Sequence, residues 1–169
     1  MQPCSTRSAL PENSLSATFK PKTKQMVTVE RIKNAAGDIY AILSYEPNKN
    51  YLLMKWVGYS SEDEVKQASM KMIAWQQSEG VAKNCRVHVH DTKEIEGAWV
   101  GVVDWINNDM FPRCYQAGLR YNLSITSPDL FSKLSSVALQ QQKSWQVPTI
   151  LFESLVQAEH WISLHIKPL

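Results

Sequence analysis

Cysteine is scarce in this chain of 169 residues, and the three that occur, Cys4, Cys85 and Cys114, are not spaced as metal ligands or as a redox pair would be. So sparse and odd a set builds no disulfide framework and fits a reducing compartment. Long apolar runs are also missing. Nothing approaches the roughly 18 residues of a membrane span, and the N-terminus lacks the unbroken apolar core of a secretory signal. The expected setting is soluble and cytoplasmic, with no membrane attachment. Net charge is only +2, with 20% charged residues, and the basic residues are scattered through both halves. That leaves no field strong enough to argue for nucleic acid. Lys20, Lys22 and Lys24 cluster near the start and read as solvated. No glycine-rich phosphate loop, Gly-x-Ser-x-Gly elbow or paired-carboxylate pattern occurs, so no cofactor is implied and no constellation performs a known reaction.

What is present divides once by composition. Residues 1–25 are rich in Ser, Thr, Pro, Lys and Gln, with Leu10, Leu15 and Phe19 sparsely placed. Such a segment buries too little apolar area to offset its ordering entropy and is expected to be a flexible extension. Residues 26–169 are expected to form a single α/β domain. Segments 39–45 and 51–57 are branched and aromatic and flank the turn-forming cluster Glu46-Pro47-Asn48-Lys49-Asn50, which predicts a hairpin. A strand at 27–33 precedes it. Short strands are expected at 84–90, 120–126 and 148–152, separated by helices, and that alternation predicts parallel pairing through crossovers.

The helices announce their ends. Ser61-Glu62-Asp63-Glu64 is a capping box, with Val65, Ala68, Met72 and Gln76 as the inward face and Gly80 as the stop. Ser127-Pro128-Asp129 opens another helix with proline at its first position, where Leu130, Leu134 and Val137 are expected to point inward. Ser154 with Gln157 opens the last, striped by Leu155, Ala158, Ile162 and Ile166. The most heavily apolar stretch is 99–119. At about 100° per residue, Trp99, Val102, Val103, Ile106 and Met110 share one arc, while Trp105 lies off it. Pro112 is expected to break or kink this helix, and Gly118 to close it in a left-handed conformation. Trp105, Phe111 and Arg113 are then left as a surface for a partner, a second copy in the first instance.

Lys55-Trp56-Val57-Gly58-Tyr59, the strand expected to end at Asp91-Thr92, the segment 105–113 and Ala117-Gly118-Leu119 together resemble a family of small bacterial proteins with a SpoIIAA-like, or STAS-like, fold. The likeness covers about residues 39–166. It implies a mixed sheet with an N-terminal hairpin, βα repeats and helices packed on the sheet. It also implies a non-enzymatic regulatory or protein-binding module. Some members are switched by phosphorylation of a Ser or Thr after an Asp at a strand end, which here would make Thr92 the phosphoacceptor beside Asp91. The chain departs from the family's small, glycine-bearing continuation, since Lys93-Glu94-Ile95-Glu96 precedes Gly97 and the two carboxylates would repel a phosphate.

Three alternatives remain. A carrier would hold a small apolar ligand between the sheet and the long helix, with Asp91, Thr92, Trp99, Trp105, Phe111 and Arg113 near the pocket at the carboxyl ends of the strands. His88 and His90 share a strand face and resemble two metal ligands awaiting a third, which His160 or His165 could supply, although histidines that simply pack are the simpler reading. Cys114 beside Arg113 could serve as a nucleophile if a histidine lay near it.

Overall fold

A computed structural model describes residues 25–142 and 146–167; the extension expected at 1–25 lies almost wholly outside them. Six strands form one sheet: β1 (Val27–Lys33), β2 (Ile39–Glu46), β3 (Tyr51–Tyr59), β4 (Val87–Glu96), β5 (Tyr121–Ile125) and β6 (Thr149–Phe152). Their spatial order is their chain order. β1–β2 and β2–β3 pair antiparallel, and β3–β4, β4–β5 and β5–β6 pair parallel. The expected α/β mixed sheet with an N-terminal hairpin is therefore what this chain forms.

The crossovers carry α1 (Glu62–Trp75), a helical run holding α2 (Val103–Trp105) and α3 (Phe111–Gln116), and α4 (Leu130–Gln141); α5 (Leu155–His165) follows β6. Strands added always in one direction, through connections of one hand, put every crossover helix on the same face. The packing agrees. Leu52, Met54 and Trp56 of β3 share a core with Val65 and Met72 of α1, Val102 to Met110 of the helical run and Leu139 of α4. The alternate residues Tyr51 and Leu53, with Val87, Val89, Leu123 and Ile125, pack against Ala158 and Ile162 of α5 on the other face.

Local chemistry set most boundaries. Ser61 caps α1 and Glu64 reaches back to it, completing the capping box. Ser154 caps α5 through the amide of Gln157. Gly118 closes α3 at φ +99°.

Four expectations are corrected. Gly80 does not stop α1: a π turn (Gln76–Gly80) extends it to residue 82, and Asn84 at φ +48° ends the segment. Pro112 does not break the next helix. Helical turns run from Val100 through Gln116, with the π turn Ile106–Met110 just before the proline, where the Phe111 N–H donates to the Ile106 carbonyl. β4 does not end at 90; its pairing with β3 continues to Tyr59↔Glu96, which puts Asp91 and Thr92 inside a strand rather than before a helix. Finally, α4 is turned about its axis. Ser132, Ser135, Ser136 and Leu139 are buried, while Leu130, Phe131 and Leu134 are 63%, 62% and 55% exposed and Val137 is half-buried. Its cap is Asp129, one residue past the expected proline. The small serine face lets α4 approach Trp99 closely: the Trp99 backbone N–H donates to Ser135 Oγ (3.1 Å) and its indole N–H to Ser132 Oγ (3.3 Å).

Candidate functional site

The helix-facing side of β4 and β5 is polar where a core is ordinarily apolar. Alternation places His88, His90 and Thr92 of β4 and Asn122 and Ser124 of β5 on it. Register sets His88 opposite Asn122 and His90 opposite Ser124. A bulge in β4 opposite Trp56 shifts the parity, so that Thr92 and Ile95 both turn toward the helices.

Each group has a definite state. His88 Nε2 lies 2.9 Å from Gln76 Oε1, a carbonyl that only accepts, so Nε2 carries the proton and the buried Nδ1 is left without a partner among the described residues. Gln76 also donates to the carbonyls of Cys85 and Ala117, both at 2.9 Å, tying the end of α1 to the start of β4 and to the turn after α3. Gly80 exists to admit this side chain, since a Cβ there would sit 2.8 Å from Gln76 Cδ. The indole of Trp56 stacks on His90 and donates to its Nδ1 at 3.3 Å, which places the His90 proton on Nε2. Burial pushes both imidazoles down, His88 to about 3 with His90 beside it contributing, and His90 to about 4, so both are neutral at physiological pH.

Between this sheet face and the helices lies a cavity of about 30 Å³, lined by Trp56, His90, Thr92, Asn122 and Ser124 from the sheet and by Ser69, Trp99 and Phe111 among the helical residues. By volume it holds two or three waters. It lies under the sheet face rather than beyond the strand ends, reaching from Asn122 near the start of β5 to Ile95 near the end of β4.

Of the residues singled out from sequence, Thr92, Trp99 and Phe111 meet at this cavity. Thr92 is buried and donates to the Ile125 carbonyl at 2.6 Å, so its hydroxyl is already used inside the fold. Asp91 alternates to the other face and caps the amide of Lys93. Phe111 is 1% exposed, which removes it from the expected partner surface: the unbroken helical run keeps it on the buried side. Trp105 is half-buried and packs on the core, and Arg113 pairs with Asp109 at 3.2 Å. Cys114 is buried and its thiol is pushed up to about 12 by that burial, which keeps it protonated. His160 and His165 belong to α5, across the sheet from His88 and His90. No group of three or more His, Cys, Asp or Glu able to hold a metal occurs among the described residues, and none of their helices is long and apolar enough to cross a membrane.

Asn122, Ser124, Ser69 and Trp56 were not foreseen as site residues. The signal for the first two was present: Asn122 and Ser124 alternate in β5 with the same period as His88 and His90 in β4. Comparison with family models, curated proteins and solved structures finds no match to this chain.

Proposed function

We propose that this chain is a non-enzymatic, STAS-like binding module whose contact surface is the outer face of α4 and whose first partner is a second copy of itself. One observation carries the reading: α4 buries its serines and turns Leu130, Phe131 and Leu134 to solvent, with Val100 of the adjoining 3-10 turn also exposed. A helix whose larger side chains face outward leaves apolar area that association would cover. The charge pattern favours a like partner. Lys133 is the only charged residue in α4, so a strongly charged partner has little to read, whereas two such faces meet apolar to apolar about a two-fold axis. The resemblance to STAS-like modules supports a binding role over an enzymatic one. Thr92 contributes nothing to the reading, because its hydroxyl is spent within the core.

Sedimentation of wild type against Phe131→Asp and Leu134→Asp at micromolar concentrations tests it. The wild type should sediment as a dimer and the variants as folded monomers with unchanged circular dichroism. A monomeric wild type, or variants that dimerise unchanged, would remove α4 as the contact.

A further inference from the structure

The polar cavity and the α4 surface are separate features, and the cavity carries a reading of its own. Four polar groups around it are left open. His90 Nε2–H is a donor with no partner among the described residues, because its Nδ1 is taken by Trp56. The hydroxyls of Ser69 and Ser124 likewise show no partner there, although both residues are buried and line the cavity. Asn122, 1% exposed, gives its amide N–H to Thr149 Oγ1 at 3.1 Å and leaves Oδ1 unpaired. A fully buried polar atom without a partner, as Asn122 Oδ1 is, is uncommon in folded proteins, and with three further open groups on the same cavity it marks a place where something else completes the bonds.

Position defines what that is. His90 and Ser124 are direct cross-strand partners, and Asn122 lies one step along the same face of β5. From strand spacing and rise, the Cα atoms of His90 and Asn122 lie about 8 Å apart. The two side chains do not bond each other across that span, since Asn122 Oδ1 is unpaired and His90 bonds only Trp56, and a single short molecule between them would reach both. No Asp, Glu, Lys or Arg lines the cavity. A charged ligand would enter it without a counter-ion and at a large desolvation cost. The flat walls of Trp56, Trp99 and Phe111 fit a planar group.

We propose that this cavity binds a small uncharged primary amide, whose carbonyl accepts from His90 Nε2–H and Ser124 and whose NH₂ donates to Asn122 Oδ1 and Ser69. The volume admits about three heavy atoms, the amide group itself with little beyond it.

The test uses formamide and acetamide as probes, with acetate as the charged isostere, followed by nitrogen-detected NMR of the histidine rings in the full chain. Saturable shifts of the His90 Nε2 resonance with either amide, absent with acetate, are the expected result. Ser124→Ala and Asn122→Leu should each weaken amide binding at least tenfold. Should Asn122→Leu fail to fold, Ser69→Val, which fills the cavity from α1, supplies the second variant and should abolish the His90 shift. The proposal is overturned if the amides give no saturable shift at 100 times the protein concentration. It is equally overturned if acetate matches them, or if the folded variants bind as the wild type does, leaving the cavity to water alone.

Discussion

Replacing Gln76 by leucine tests the polar layer at its most connected point. The two side chains are close in volume, so the substitution removes hydrogen bonds without opening a large void. Three partners are lost: the His88 Nε2–H donor and the carbonyls of Cys85 and Ala117. Each buried group left unpaired costs about 1–3 kcal/mol, against which the buried leucine returns about 1–2 kcal/mol. The expected net loss is about 3–5 kcal/mol, which for a chain near this size lowers Tm by roughly 10–15 °C. Urea unfolding of Gln76→Leu, His88→Leu and the double variant measures it. Because leucine at both positions leaves apolar facing apolar, the double variant should be less destabilised than the sum, by about 1–3 kcal/mol. A Tm within about 3 °C of wild type for Gln76→Leu, or strict additivity in the cycle, would refute the account of Gln76 as the tie between α1, β4 and the turn after α3.

The same layer sets a pH dependence. Both imidazoles have folded-state pKa values below the ordinary 6.5, so below pH 6.5 the unfolded chain takes up two protons that the folded chain refuses. Stability should be level with respect to these groups above that pH and fall by about 2.7 kcal/mol per unit below it, easing near pH 4 where His90 begins to protonate in the fold. Urea midpoints from pH 7 to 4.5 check this, and His90→Leu should halve the slope; a flat profile contradicts the burial of both rings. Gly80→Ala reverses the usual sign. In an ordinary helix interior it would stabilise by about 1 kcal/mol, but here the new Cβ meets a Gln76 side chain held by three hydrogen bonds, so the urea midpoint should drop.

The elements that could be read from sequence are those whose signals are local. The Ser61 box, the Ser154 cap, Gly118 and the arc from Trp99 to Met110 each depend on residues within a turn or two, and each was found as expected. The failures arose from contacts made across the fold. Leu130 and Leu134 read as an inward stripe because apolarity is the usual guide to facing. The helix instead takes its rotation from two serines hydrogen-bonded to Trp99, more than 30 residues away in the chain. Gly80 read as a stop because the role of Gln76, folded back over it to reach His88, depends on β4 being in place. Thr92 read as a strand-end residue because the extension of β4 depends on its pairing with β3. The cavity was half legible. His88 and His90 were noticed on one face, and pairing with Asn122 and Ser124 needed the strand order.

That strand order bears on how the chain reaches its fold. Because each strand lies beside its predecessor, every strand released during synthesis finds its neighbour already made, and no pairing waits on a distant segment. The two faces do not mature together. Each crossover helix covers the histidine and serine side as its strand is added, whereas Tyr51, Val87, Val89, Leu123 and Ile125 on the other side wait for α5, the last described helix. The nascent sheet therefore shows an apolar face until its final helix docks, and that interval is when a chaperone would find most to hold.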